Sequence, residues 1–315
     1  MNGAALIATT VQVVVVVTGA PVLVGLMRQV QARLEGRAGA GIGQPWRDLR
    51  KLLRRAPASP TGTGWPFRLA PLLLVGTSSV LAAVTPLLST ASPLDHTADL
   101  FAVVGLLALG TVTLALAALD TGTAFGGMGA SREVTILALV EPTILVAVLA
   151  LSARVGSTNL SEIVSTTLHD PLRVASPASL LAAAALLIVV IAETGRLPVD
   201  NPATHLELTM IHEAMILEYA GRDLALVELA AAMRLSILLG LLTSLFVPWG
   251  IAGADLAMLP LALAAFVAKV AALGVALGAA EVFIAKLRLF RVPELLAGSF
   301  VLAVLAVATS FFFLA

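Results

Sequence analysis

The chain has no cysteine among its 315 residues, and it has few charged residues of either sign. Without cysteine it cannot form a disulfide, a thiolate metal site or the ligand set of an iron–sulfur cluster. Any redox cofactor must therefore be held by a partner. Asp, Glu, Lys and Arg make up 12% of the residues, against about 25% in ordinary soluble domains. The formal net charge is zero, so we expect no nucleic-acid partner.

Hydrophobic residues make up 59% of the chain, and the mean hydropathy is +1.01. A helix that crosses a bilayer needs about 20 predominantly apolar residues. Apolar runs occur at about 4–27, 67–89, 98–119, 132–152, 178–192, 224–248, 258–284 and 294–314. We therefore predict an all-α polytopic membrane protein with eight transmembrane helices plus cytoplasmic amphipathic helices.

The basic residues indicate an orientation. Fifteen of the nineteen Lys and Arg fall on one side of the predicted spans, and only Arg154 and Arg173 on the other. The positive-inside rule assigns the richer side to the cytoplasm. We predict that both termini lie outside and that residues 1–315 form a single membrane domain. Its cytoplasmic connectors are predicted at about 28–66, 120–131, 193–223 and 285–293.

The first connector contains an amphipathic segment, "GRAGAGIGQPWRDLRKLLRR", at 36–55. Helical spacing places Trp46, Leu49 and Leu53 on one face and the basic residues on the other. This pattern is typical of an interfacial helix with its basic side toward water or anionic lipid. The alternative is a positive-inside anchor with no further role. The glycine-rich start lacks the Gly-Lys-Ser/Thr ending of a phosphate-binding loop, so nucleotide binding is rejected.

Eight ionisable residues lie in or at the ends of the predicted spans, where they are costly and usually functional or paired. They are Asp120, Glu133, Glu141, Glu193, Glu228, Arg234, Lys269 and Glu281. As a set they indicate a hydrated path that handles protons or charge. The alternative is interhelical pairs that serve assembly. Glu141 precedes Pro142, where a freed carbonyl and a carboxyl can line a wet cavity. Lys269 is too deep to reach either surface easily.

The glycine-rich join "LDTGTAFGGMGASREV", at 119–134, precedes the fourth span. Ser131 is predicted to cap that helix, because serine is a favourable N-cap residue. Glu133 then lies in the first turn, where the helix dipole favours a negative charge.

The segment 193–223 is the most polar part of the chain's second half. Two prolines bracket an extended stretch, after which we predict a helix from about Ala203. Helical spacing divides its polar residues between two faces: His205 and His212 on one, Glu207 and Glu218 on the other, with Glu213 bordering the histidines. Histidine titrates near neutral pH, so this cluster can exchange protons. The apolar residues between them predict that a protein partner covers the segment.

The same histidines give only a weak indication of metal. "HEAMI" at 212–216 is not a zinc-protease motif, because Ile216 stands where that motif has histidine. Two histidines seven positions apart can meet one ion, but no further ligand pattern accompanies them. We predict no metal in this chain.

Nearly the whole chain resembles the membrane-subunit family shared by respiratory complex I and group 4 membrane-bound hydrogenases. The resemblance is greatest to the hydrogenase-4 and formate hydrogenlyase branch. The motifs that carry it, in chain order, are Gly36–Arg37, "QPWRDLRKLLRR", "LDTGTAFGGMGASRE", "VEP" at 140–142, "GSTNLSEI", "ETGRLPVD", "EYAG" at 218–221, Lys269 and "AKLRLFRVPELL".

The resemblance implies an eight-helix subunit of a bacterial or archaeal cytoplasmic membrane that anchors a peripheral redox arm. Its implied partners are a hydrogenase-like small subunit with an iron–sulfur cluster, a hydrogenase-like large subunit, antiporter-like membrane subunits and the lipid bilayer. A nickel–iron centre is expected, if anywhere, in a partner. The residues on the family's polar positions are Arg37, Asp48, Asp120, Arg132, Glu133, Glu141, Glu193, Arg196, Asp200, Glu207, Glu218 and Lys269.

The chain departs from the family pattern in two places. Ala203, Thr204 and His205 stand where members commonly have an acidic run, and Ala40 stands where a proline is usual. Two carboxylates of the family's quinone-chamber loop are therefore missing. This leaves quinone binding open.

We therefore expect a membrane-anchoring and coupling subunit of an ion-translocating oxidoreductase complex that itself carries no redox cofactor. The alternatives are a quinone-chamber subunit of a complex I-like enzyme and, less favoured, a stand-alone secondary transporter. Glu141, Glu193 and Glu218 are the first candidates for coupling, with Lys269 as their charge partner. The full predicted coupling set is Asp120, Glu133, Glu141, Glu193, Glu207, Glu213, Glu218, Glu228, Arg234, Lys269 and Glu281. The predicted partner or quinone-chamber surface is Arg37, Trp46, Asp48, Arg132, Arg196, Asp200, His205 and His212.

Overall fold

The computed structural model describes residues 3–170, 176–200, 210–253 and 255–312. Within these ranges the chain forms eleven α-helices and no β-strand. The helices are α1 (Gly3–Leu34), α2 (Gln44–Leu53), α3 (Trp65–Val84), α4 (Leu100–Asp120), α5 (Ala124–Val155), α6 (Leu160–His169), α7 (Pro177–Glu193), α8 (His212–Ile216), α9 (Gly221–Phe246), α10 (Leu259–Phe283) and α11 (Val292–Phe312).

Seven helices in the described ranges are long and apolar enough to cross a membrane, namely α1, α3, α4, α5, α9, α10 and α11. The prediction of an all-α polytopic membrane protein is confirmed. The remaining predicted span, 178–192, corresponds to α7, which has 17 residues. At about 1.5 Å per residue, α7 is roughly 26 Å long. That is slightly less than the roughly 30 Å hydrocarbon core, so the count of eight stays a prediction.

Helix α5 packs against α4, α7 and α11. On one side α3 packs against α4 and α9, and α1 packs against α9 and α10. The α1–α10 contact depends on small residues. A Cβ at Gly274 would lie 2.6 Å from Leu23 Cδ1, and one at Gly278 would lie 3.2 Å from the Met27 carbonyl oxygen. Small residues four positions apart allow such close helix approach in membranes.

Several boundaries differ from the prediction. Helix α1 continues to Leu34, so the first connector begins within a helix. The prediction that Ser131 caps the fourth span is wrong. Helix α5 begins at Ala124, where the Thr123 side chain accepts a hydrogen bond from the Gly126 amide. Ser131 lies inside the helix and donates to the Met128 carbonyl.

Candidate functional site

A cavity of about 480 Å³ lies between α1, α2, α3, α4, α9 and the C-terminal ends of α7 and α10. Part of its wall is apolar, including Leu74, Leu81, Leu106 and Leu107. Its charged and titratable lining residues are Arg28, Asp48, Glu133, Glu193, Arg196, Asp200, His212, Glu213, Glu228, Arg234 and Glu281. All of these except Arg28 were predicted site residues, although they come from distant parts of the chain. The structure therefore brings most of the predicted set around one space.

A buried charge pair in the cavity wall joins α7 to α9. Arg234 forms an ion pair with Glu193, whose side chain is 2% exposed against 16% for the arginine. The same guanidinium donates to the Leu107 carbonyl (2.9 Å) and the Thr111 hydroxyl (2.6 Å) of α4. Three helices thus meet at one cation. Removing one member of such a buried pair typically costs about 3–5 kcal/mol, because the other charge is left uncompensated.

This pairing corrects a prediction. Lys269 was expected to be the charge partner of Glu141, Glu193 and Glu218. Its ammonium group instead donates to the carbonyls of Val247 (2.9 Å) and Trp249 (3.0 Å). These carbonyls lie just beyond the C-terminal end of α9, where a cation is favourable. The partner of Glu193 is Arg234, and Lys269 connects α10 to the end of α9.

A second charged group joins the C-terminal ends of α1, α7 and α10. Glu281 accepts a hydrogen bond from the Gln31 amide and lies 3.6 Å from an Arg196 guanidinium nitrogen. Arg196 follows α7 and is mostly buried, with a 13% exposed side chain. Burial lowers the pKa of the Arg196 guanidinium, while the Glu281 carboxylate acts in the opposite direction. Arg196 and Glu281 thus connect two helix ends at the cavity wall.

Asp200 organises the described part of the segment after α7. It is 3% exposed. One carboxylate oxygen accepts from the Lys286 ammonium at 2.8 Å, and the other accepts from the His212 backbone amide at 3.2 Å. Asp200 therefore ties the loop after α10 to the start of α8 beside the cavity.

The two glutamates of α5 occupy different environments. Glu133 lines the cavity and interacts electrostatically with His212, Arg234 and Asp200. Glu141 lies eight residues further along α5 and is absent from the lining of this cavity. The prediction that Glu141 borders a wet cavity is therefore wrong for the cavity described here. Its Oε1 atom is buried and has no hydrogen-bond partner among the described residues. Its charge interaction is with Arg234.

Two other predicted coupling residues lie outside the cavity. Asp120 accepts hydrogen bonds from the backbone amides of Gly64 (2.6 Å) and Phe67 (3.4 Å), so it caps the start of α3. Glu218 lies half-buried between α8 and α9. In the described structure, the geometry of Asp120 is that of a helix cap.

The predicted amphipathic helix is α2. Leu49 is buried, and the half-buried Trp46 donates from its indole nitrogen to the Thr18 carbonyl of α1 (3.0 Å). Leu53, predicted on the same apolar face, is 47% exposed. Asp48 lines the cavity and accepts from the Gln44 amide. The face opposite Leu49 is basic and exposed, as predicted.

The described residues of the 210–220 stretch correct one step of the sequence argument. Most of their apolar side chains are buried inside the chain itself, namely Met210, Ile211, Ala214, Met215, Ile216 and Tyr219, whereas Leu217 is 49% exposed. Arg132 donates to the Met210 carbonyl (2.7 Å), and the Tyr219 ring stacks on Phe67 with centroids 4.1 Å apart. This part therefore leaves only Leu217 as a large apolar side chain for a partner to cover. Arg37 lies on the surface and pairs with Glu35, and the predicted residues His205 and Glu207 lie outside the described residues.

Sequence reasoning missed several participants. Gln31 and Lys286 donate hydrogen bonds to the buried carboxylates of Glu281 and Asp200, and Thr111 accepts one from Arg234. Gln31 and Thr111 are uncharged, so a search for ionisable residues in apolar runs passes over them. A polar residue within a predicted span is the signal that finds Thr111, whereas Gln31 lies in the predicted connector after the first span. Within the described ranges, no group of three or more His, Asp or Glu side chains is placed to hold a metal ion.

Comparisons with known proteins identify relatives of this chain. The NADH dehydrogenase family profile matches residues 7–312. Formate hydrogenlyase subunit 4 of Escherichia coli (strain K12) is 35% identical over 240 residues, covering 76% of this chain and 77% of the relative. Hydrogenase-4 component C of the same organism is 36% identical over 253 residues, covering 79% and 78%.

The fold is also known from a solved structure. A chain of the membrane-bound sulfane sulfur reductase, an archaeal respiratory membrane complex, superposes with a TM-score of 0.84. The match covers 97% of this chain and 99% of that chain at 20% sequence identity. At this identity the match is evidence of a shared fold and of nothing further.

Proposed function

This chain belongs to the NADH dehydrogenase family, and from that premise we propose that it is the membrane-anchoring and coupling subunit of an ion-translocating oxidoreductase complex. The two relatives at 35% and 36% identity indicate the hydrogenase-4 and formate hydrogenlyase type. The observation that carries the coupling role is the Glu193–Arg234 pair, buried in the wall of a cavity rich in carboxylates.

Burying this many charges is costly, so a function is needed to explain them. Each ion taken out of water loses several kcal/mol of hydration, and well-packed apolar residues are often equally stable in the same place. Assembly alone therefore does not require these charges. In a coupling subunit, a change of charge near the cavity alters the balance between buried acids and bases, and the helices that carry them respond.

The anchoring role is supported by the exposed basic face of α2 and by the polar ends of the helices around the cavity. We propose that this side faces the cytoplasm and contacts a hydrogenase-like small subunit, which holds an iron–sulfur cluster and is joined to a hydrogenase-like large subunit. Antiporter-like subunits would lie beside the chain in the cytoplasmic membrane. No redox cofactor is assigned to this chain, whose lack of cysteine excludes thiolate ligation.

A quinone is the second candidate for the cavity. The volume of about 480 Å³ lies within the range of roughly 300–1,000 Å³ that is usual for small-molecule sites. Its mixture of leucines and a few polar groups suits a ring with two carbonyls. In that case the subunit would form a quinone chamber of the complex I type.

Isolation of the intact assembly from its native membrane tests the proposal. We expect hydrogenase-like and antiporter-like subunits to copurify with the chain, together with iron and, if the large subunit is a hydrogenase, nickel. Iron without nickel would favour the quinone alternative. A chain that copurifies with no other subunit and transports an ion by itself in liposomes would contradict the proposal.

A further inference from the structure

Arg234 is the cation most surrounded by carboxylates in the described structure. Its guanidinium pairs with Glu193 and also interacts electrostatically with Glu133 and Glu141 of α5. Its Nε atom is buried without a hydrogen-bond partner among the described residues. A Cβ at Gly110 would lie 3.3 Å from Nη1. The hydrogen bonds of the guanidinium described above all come from Nη2, and Nη1 has a glycine, not a larger residue, beside it.

Glu141 presents the complementary feature. Its Oε1 atom is buried and unpartnered within the described ranges, and the charge that acts on it is that of Arg234. An ionised carboxylate in such surroundings is expensive unless a cation is directly bonded to it. While Arg234 is committed to Glu193, the neutral carboxylic acid is the less costly form of Glu141.

Glu133 and Glu141 are eight residues apart, about 12 Å along α5 at the usual helical rise. Arg234 interacts electrostatically with both and is itself part of the cavity lining. Glu133 also lines the cavity and interacts with His212 and Asp200, whereas Glu141 is not part of that lining. The arginine thus connects the cavity, where protons can be exchanged, with a carboxyl outside its lining.

We propose that Arg234 is a positioning residue that alternates between Glu193 and Glu141 as their shared counter-charge. When a proton arrives from the cavity and neutralises Glu193, the ion pair is lost. The guanidinium then turns to Glu141, which releases its own proton away from the cavity. One proton enters and one leaves, and the three side chains have the same total charge before and after. This inference rests on the proposed coupling function and specifies how the first step takes place.

Infrared difference spectroscopy on the purified complex tests the exchange through the protonation state of Glu141. Subtracting the spectrum of the Glu141→Gln complex from that of the unaltered complex isolates the Glu141 signal. We expect the carbonyl stretch of a protonated carboxylic acid, shifted in heavy water. The same subtraction in a Glu193→Gln background, which imitates neutral Glu193 at constant size, should instead give carboxylate bands. Adding Arg234→Met to that background should restore the protonated band.

Lys269→Met is the matched control, because Lys269 is another cation within a long apolar helix and is bonded to carbonyls. This variant should leave Glu141 protonated, with its carbonyl band unchanged. A Glu141 that is ionised in the unaltered complex, or that stays protonated in the Glu193→Gln background, would overturn the proposal. The Glu193→Gln result decides this even if the arginine variant does not assemble. Ion transport by the unaltered complex tests the proposed function separately. If the unaltered complex shows the predicted bands but transports no ion, only the proposed function is contradicted.

Discussion

Gly221 is a position where a single methyl group should be costly for two separate reasons. It begins α9, just after the buried Tyr219, with a backbone φ of +59°. A Cβ there would lie 2.2 Å from the Ala56 carbonyl oxygen and 2.9 Å from that of Arg55. Both are backbone atoms of the segment between α2 and α3. The contact therefore cannot be relieved by a side-chain rotation, and the chain itself must shift.

Two separate costs contribute to the effect of Gly221→Ala. The left-handed conformation costs a residue with a Cβ about 1–2 kcal/mol. Forcing an extra methyl group into a closely packed site typically costs a further 1–3 kcal/mol. Together they predict a loss of about 2–5 kcal/mol in the free energy of unfolding. This corresponds to roughly a 30- to 4,000-fold change in the folding equilibrium.

Denaturant titration of the purified subunit in mixed micelles measures this loss. Gly105→Ala is the matched control, because Gly105 lies inside α4 with no atom within 4 Å of an added Cβ. Alanine favours a helix interior over glycine by about 0.5–1 kcal/mol, so this control should be neutral or stabilising. Equal stability of the two variants would refute the reasoning about Gly221, since it depends only on backbone conformation and close approach.

Three further predictions concern single side chains. Asp120→Ala should destabilise the subunit by about 0.5–2 kcal/mol through loss of the α3 cap, and an unchanged unfolding midpoint would contradict this. Trp46→Phe should cost about 0.5–1.5 kcal/mol because the Thr18 carbonyl loses its donor, with protease cleavage after α1 as the readout. Tyr219 is the chain's one tyrosine, and burial raises its phenol pKa above the ordinary 10.0. An absorbance titration of the folded subunit should therefore show tyrosinate only well above pH 10. The unfolded phenol ionises first, so stability should fall as pH rises through that range.

The membrane-spanning helices could be predicted because the requirement is one of composition and length. A bilayer needs about 20 consecutive apolar residues, and seven of the predicted runs correspond to helices that meet this criterion. The run at 178–192 corresponds to α7, which at 17 residues is shorter than the other seven helices. The lateral arrangement of the helices could not be obtained in this way, because every span is apolar on most sides and the pattern does not indicate which neighbour it contacts.

The glycine-rich stretch before the fourth span shows how packing overrides local preference. Glycine disfavours a helix interior, and 120–131 was predicted as a connector between spans. In the structure 124–131 is helical, and Gly126 and Gly129 let α5 approach other backbone segments. A Cβ at Gly126 would lie 2.5 Å from the Ala118 carbonyl oxygen, and one at Gly129 would lie 3.0 Å from that of Ile211.

The site residues were identifiable as a set but not as pairs. An ionisable residue in an apolar run is conspicuous, and most of those predicted line one cavity. The partner of each depends on which helices meet, and that is a tertiary property. Arg234 and Lys269 are equivalent cations in the sequence, yet one contacts Glu193 and the other contacts two carbonyls.

The most direct test of the coupling role compares ions moved per electron in proteoliposomes that contain the intact complex or its Glu141→Gln variant. Electron transfer between soluble carriers serves as the control in each preparation. We expect the variant to move fewer ions per electron while its electron transfer rate stays unchanged. An unaltered ratio of ions to electrons would contradict the proposed coupling role, because the carboxyl of Glu141 would then take no part in it.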